Sequence, residues 1–423
     1  MKQEKIINTG LTIITQKMKG THSVTVSVGF KVGVIFENKM NNGITHLVEH
    51  LFFRQWDDLC KNKLYSEMYS IGAEIIGKTY RDYVSFSITV VPKYFDTAMS
   101  LISKCLNQFT WTSESVNLEK KIVCKQIQNS TVSFQQWIDS SYFKDSSYGF
   151  PIMGTIDNIE LISVDDLNRW KTKYFCCKNA CMVITGDYSE LEMENCIRKL
   201  PQNNIGEKSR KTNYIPDDFY NRKYDNRFDI FYDDSDITEI TVNIDINNDF
   251  QFESLRLLSS ILGEGCTSKL PTILREERNY TDDVYTDFMC FDGFYRLTIS
   301  FNVSSDDFKK SMACFFDVLG EMRKCISQND INSSIRFFTD NQFMDLDNPR
   351  LLNERYLLCD FVLPHINSEP HILCEEYKKI SCNDILNCSR NIFKKNNFSF
   401  VISTNLNDYE VRKYLESLLS NFT

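Results

Sequence analysis

The spacing of apolar and polar residues changes along the chain, and each change predicts an element. Residues 22–33, HSVTVSVGFKVG, alternate every second position and are rich in β-branched side chains, which predicts a strand with one buried face. After the turn signal Asn41-Asn42-Gly43, the apolar positions move to helical spacing at Ile44, Leu47, Val48, Leu51 and Phe52. Residues 82–91, DYVSFSITVV, alternate again and stop at Pro92. Amphipathic helices are expected over 94–109 and 113–130, and a buried strand over 179–187 that closes on Gly186-Asp187.

The stretch 201–223 is polar, contains Pro201 and Pro216 and has no apolar period, so it predicts a linker, placed at 206–222. Beyond it the alternation restarts, with a strand over 237–246, a helix over 252–265 ending at glycine, a strand over 295–304 and a helix over 306–326. The second half repeats the first in element order, although not in sequence. The expectation is an α+β chain of two similar domains, 1–205 and 223–423, each a mainly antiparallel sheet backed by helices. A length of 423 residues fits two domains of about 200 residues each.

Composition narrows the function classes. Hydrophobic residues make up 42% and charged residues 25%, the balance of a folded soluble protein. A net charge of −9 and a pI near 5.3 argue against nucleic acid as a partner, because phosphate binding needs a basic surface. There is no run of eighteen apolar residues, and the opening MKQEKIINTG lacks the apolar segment of a secretory signal, so neither a membrane span nor export is expected. Fifteen scattered cysteines, an odd count with no C-x-x-C pair, then fit free thiols in a reducing cytoplasm better than a disulfide framework or a cysteine zinc site.

Candidate chemistry concentrates in 41–53, NNGITHLVEHLFF, which holds two of the chain's five histidines. On a helix, His46 and His50 stand at i and i+4 and project from one face. Both can then reach one zinc ion at about 2.0–2.1 Å. Glu49 stands beside that face, displaced around the helix, where it can act on a water as a base without ligating. His-x-x-Glu-His is the inverzincin signature. The competing reading, two histidines in an apolar core, requires hydrogen-bond partners for both rings. Leu47, Val48, Leu51 and Phe52 already supply a core stripe without them.

The segment 23–54, SVTVSVGFKVGVIFENKMNNGITHLVEHLFFR, closely resembles the opening of the pitrilysin/insulinase family of zinc metallopeptidases, in particular the short-chain branch related to mitochondrial processing peptidase. The likeness continues in order. Residues 71–87, IGAEIIGKTYRDYVSFS, resemble the family's edge-strand segment, and 148–175, YGFPIMGTIDNIELISVDDLNRWKTKYF, its middle signature. CMVITGD resembles the last strand of the family's first domain, and 261–280, ILGEGCTSKLPTILREERNY, its helix with a Leu-x-x-x-x-Arg-Glu pattern. The resemblance implies a pair of similar α+β domains forming half of a clamshell that closes around an extended peptide. It also implies zinc as cofactor, Glu49 as base, and a peptide that adds a strand at the edge near Ile76 and Gly77.

Three positions depart from the family pattern. The family's helix with two glutamates seven residues apart falls on Glu119, in the outer shell, and on Gln126 where the third zinc ligand stands. A glutamine offers a neutral carbonyl oxygen, so zinc held by His46, His50 and Gln126 should bind more weakly. In the second half Arg275 matches the family's substrate arginine, but Asp282 stands where its partner tyrosine belongs, with Tyr280 and Tyr285 nearby. Ile76 replaces the usual asparagine. Together these imply the zinc-bearing subunit of a heterodimer whose homologous partner supplies the arginine–tyrosine pair, or else a homodimer, acting on leader or targeting peptides. The rival expectation is a non-catalytic, peptide-binding subunit of the same fold.

Overall fold

The computed structural model describes residues 2–422 apart from 60–62, 108–109, 131–135, 137–138, 141–142, 144–145, 202–226, 248–250 and 292–293. The expected linker at 206–222 lies outside the described residues. The chain divides into two compact units, 1–214 with 343–368, and 215–342 with 369–423. The segment 343–368, expected in the second domain, thus belongs to the first unit.

The first unit contains β1 (Lys2–Ile6), β2 (Thr12–Lys17), β3 (Val24–Phe30), β4 (Glu74–Thr79), β5 (Val84–Val90) and β6 (Ala180–Gly186) in one sheet of order β1-β2-β6-β3-β5-β4. Among the described residues only β2 and β6 run parallel. The inward residues Val24, Val26, Val28 and Phe30 of β3 pack on a core shared with Leu47, Leu51, Phe52 and Trp56 of α1 (Ile44–Leu59). α2 (Leu64–Ser70), α3 (Phe95–Lys104) and α4 (Ser113–Asn129) join this helical side, as do the helices Val164–Tyr174 and Glu190–Arg198, and Thr112 caps α4 through its side chain.

β3 departs from the expectation of one buried face, because every residue of it is buried. Its outer positions Thr25 and Ser27 bond Thr89 and Ser87 across the sheet. The helix Pro349–Tyr356 then covers that face. Asn353, fully buried, donates to the Thr25 and Val183 carbonyls and the Ser27 hydroxyl, and accepts from Thr185. Leu352, Tyr356 and Leu357 pack beside it on Ile14, Cys181 and Val183. Hydrogen bonding to one amide is what lets a polar strand face be buried, and this places 343–368 in the first unit.

The second unit contains β7 (Arg227–Tyr232), β8 (Ile237–Asn247), β9 (Val284–Phe291), β10 (Phe294–Ser304) and β11 (Phe398–Thr404), in the order β7-β11-β8-β10-β9. Among the described residues its only parallel neighbours are β7 and β11. Leaving out β1, this is the strand order of the first sheet with the parallel pair in the same place, so the repeat in element order is a repeat in topology. Both units are a mainly antiparallel sheet backed by helices. Among the described residues no helix is long and apolar enough to cross a membrane.

Candidate active site

The helix α1 begins at a built corner. Gly43, at φ +94°, lies against Gly154, at φ +77°, so closely that a Cβ on Gly154 would sit 2.7 Å from the Gly43 Cα. Glu37 lies buried under the corner and accepts from Asn42 Nδ2 (2.9 Å) and the backbone N–H groups of Gly43 (2.8 Å) and Thr45 (2.9 Å). It satisfies two of the donors that open a helix. Burial pushes the Glu37 carboxyl up to about 7, against the lowering effect of these bonds. The middle signature therefore sets where α1 starts, and with it where His46, Glu49 and His50 point.

From that start the helix sends its apolar stripe into the core and presents His46, Glu49, His50 and Phe53 along its flank. His46 and Glu49 are buried, while His50 is half-buried. The two imidazole centroids are 4.7 Å apart and the rings are nearly perpendicular. α4 supplies the oxygens opposite. His46 Nε2 lies 3.2 Å from Gln126 Oε1, and His50 Nδ1 3.3 Å from Glu119 Oε2. Glu119 Oε1 accepts from Arg54 at 2.6 and 2.7 Å. Burial raises the Glu119 pKa, but His50 and Arg54 outweigh it and hold the carboxyl below its ordinary value.

Glu49 is fixed from the other side by β4. Thr79 Oγ1 donates to Glu49 Oε2 at 2.5 Å, and a Cβ on Gly77 would fall 2.6 Å from Glu49 Oε1. Burial opposes ionisation of Glu49, yet His46 and the Thr79 hydroxyl outweigh it and keep its pKa below the ordinary range. The carboxylate at the position of the expected base is thus ionised at neutral pH. Glu49, His50, Phe53, Tyr65 and Gly77 line a cavity of about 460 Å³. β4 bonds β5 on one side, and among the described residues no strand pairs its other edge.

Whether these side chains fit a metal is decided at His46. Its Nε2 faces the Gln126 carbonyl oxygen, and its buried Nδ1 has no hydrogen-bond partner and lies 3.5 Å from Glu49 Oε2. A neutral imidazole carries one N–H, so a ring set between two acceptor oxygens calls for one more positive centre, a second proton or a metal ion. His50 bonded at Nδ1 to Glu119 keeps Nε2 for a ligand, the arrangement common at histidine metal sites. The donor set of two imidazoles and an amide oxygen fits zinc, as a site with no anionic ligand. Among the described residues no three histidine, cysteine or acidic side chains converge as a metal group. Position 126 offers an amide, and Glu119 is directed to Arg54 and His50.

The structure therefore brings together His46, Glu49, His50, Glu119, Gln126 and Gly77. Ile76, half-buried and paired with Ser87, is the neighbour of Gly77 on β4. Arg275 belongs to the second unit, in the π-helical turn Pro271–Glu277, with its guanidinium 3.4 Å from Glu276. It lines a cavity of about 620 Å³ with Tyr280 and Asp282, whereas Tyr285 stands exposed on β9. Sequence reasoning missed Thr79, Glu37 and Arg54. For Thr79 the signal was available, because positions 77 and 79 of a strand share a face.

Residues 12–156 match the family model described as "Insulinase (Peptidase family M16)", and residues 161–337 match "Peptidase M16 inactive domain". The chain belongs to the M16 (insulinase) peptidase family. An "Uncharacterized zinc protease" of Rickettsia bellii is 26% identical over 64% of this chain and 66% of its own length. The beta subunit of the mitochondrial-processing peptidase of Saccharomyces cerevisiae is 27% identical over 42% of this chain and 39% of its own. The match thus spans just under two-thirds of the Rickettsia relative. Among solved structures, a protease from Helicobacter pylori superposes with a TM-score of 0.79 over 96% of this chain and 99% of its own, at 16% identity. At that identity the likeness is one of fold.

Proposed function

We propose that this chain is the zinc-bearing subunit of an endopeptidase that cleaves extended peptides, and that a homologous partner subunit completes its site. The observation that carries the reading is Glu49: a buried carboxylate, held by Thr79 and kept below its ordinary pKa, beside the imidazoles of His46 and His50, whose rings stand 4.7 Å apart. His46, His50 and Gln126 would hold zinc, which as a Lewis acid polarises the scissile carbonyl and activates water. Glu49 takes the proton of the attacking water and returns it to the leaving amine. The open edge of β4 orients the peptide by backbone hydrogen bonds, and Phe53 and Tyr65 in the adjoining cavity receive its side chains.

Asp282 in place of a tyrosine supports the need for a partner, because an ionised carboxylate repels the charge developing on the carbonyl oxygen. Removal of a leader or targeting peptide is the substrate class that such pairing favours. A second reading, a subunit of this fold that binds peptides without turning them over, is favoured by the neutral Gln126. One experiment separates them: measure zinc in protein purified without chelator, and cleavage of an internally quenched peptide with and without a homologous chain carrying the arginine–tyrosine pair. Bound zinc with partner-dependent cleavage supports the first reading, and zinc-free protein inactive in every combination supports the second.

A further inference from the structure

We propose that Thr79 is a positioning residue for Glu49, holding the carboxylate in the orientation in which it serves as base; this rests on the peptidase reading above. One short strand addresses both carboxylate oxygens. The Thr79 hydroxyl donates to Oε2, while the bare Cα of Gly77 leaves just enough room for Oε1. A Cβ on Gly77 would also meet the Phe53 ring at 2.5 Å, so any larger residue there would displace Phe53 and the Glu49 carboxylate.

The strand itself is fixed. Gly77 and Thr79 are in register with Phe86 and Val84 of β5. Residues pointing away from them are anchored too, with Lys78 bonded to Glu354 and Glu74 to Arg350, each at 2.7 Å. A β-branched threonine has few side-chain rotamers, so its hydroxyl is aimed by the backbone. That hydroxyl gives Glu49 a donor on the oxygen facing His46, while Oε1 lies against Gly77 at the edge of the cavity that both residues line with His50. The base and the peptide-binding edge are consequently set by the same six residues, Glu74–Thr79.

The test uses the full chain, zinc-loaded and in its active assembly, with an internally quenched peptide as probe. Thr79→Val keeps the shape and removes the hydroxyl, and Thr79→Ser keeps the hydroxyl. Valine should lower kcat about 10- to 100-fold with KM within about twofold, since small misplacements of a catalytic group cost up to about 10²-fold. Serine should restore kcat to within about threefold, and zinc content should be equal in all three proteins. Equal kcat in the valine variant, or a folded serine variant as slow as valine, overturns the proposal. Crystal structures of both variants judge it without activity: the Glu49 carboxylate should leave its place in Thr79→Val and keep it in Thr79→Ser. An unmoved Glu49 in the valine variant overturns the positioning role. A parent protein that cleaves nothing in any assembly sinks the peptidase reading instead.

Discussion

Restoring a carboxylate at position 126 measures how much the neutral donor weakens the site. In Gln126→Glu the new oxygen starts 3.2 Å from His46 Nε2, on a residue exposed to solvent, so the dielectric of water applies to its charge. Two unit charges 4 Å apart in water attract by about 1 kcal/mol, and a divalent ion doubles this to about 2 kcal/mol, the least to be expected of an oxygen in direct contact with the metal. That corresponds to roughly 30-fold tighter zinc. Glu119 cannot already supply this charge, because Arg54 neutralises it at 2.6 Å. Competition for zinc against a chromophoric chelator, at one pH and ionic strength, reads the difference directly. Gln126→Ala serves as a control and should bind more weakly than the parent. An affinity for Gln126→Glu equal to that of the parent would show that residue 126 does not face the metal, and the assignment of the third ligand would fall.

Three further outcomes are expected. Glu49→Gln should lose about 10²–10⁴-fold in peptide cleavage at unchanged zinc content, because the amide still accepts from Thr79 but takes no proton; cleavage at the parent rate refutes the mechanism. Asn353→Ala should destabilise the protein by about 3 kcal/mol, read as a lower urea midpoint, since buried groups stripped of a partner cost about 1–3 kcal/mol each; a loss under about 1 kcal/mol contradicts the role given to this amide. Glu37, raised from 4.5 to about 7, contributes stability that is full below pH 4.5 and lost as pH rises through about 7. The parent should therefore lose roughly 3 kcal/mol across that window relative to Glu37→Gln, and parallel pH profiles of the two proteins count against it.

Much of this was readable in the residues themselves. The helical spacing of Ile44, Leu47, Val48, Leu51 and Phe52 fixed which flank of α1 the histidines take, and the core of the first unit uses that stripe. The repeated order of strands and helices announced two sheets of one topology. What the sequence could not announce depended on distant segments meeting. Thr25 and Ser27 look like solvent-facing positions of a half-buried strand until Asn353 is laid across them. Glu37 looks like a loop charge until Gly154 closes the corner above it, and Thr79 looks like the end of a strand until Glu49 turns toward it. Periodicity is a local property, whereas each of these depends on pairing across the fold.

The amide of Asn353 also sets an order of events during synthesis on the ribosome. It bonds Val183 across 170 residues of chain. At roughly 5–20 residues per second, translation needs on the order of ten to thirty seconds to add that length. Through that interval the nascent first sheet has emerged with Thr25, Ser27 and Thr185 lacking the amide that pairs them. A chaperone able to shield a mixed sheet face, hydroxyls beside the apolar Ile14, Cys181 and Val183, would find its client in that window. A stop codon anywhere between the last strand of this sheet and residue 353 would leave the zinc motif encoded in full while its sheet went without its cover.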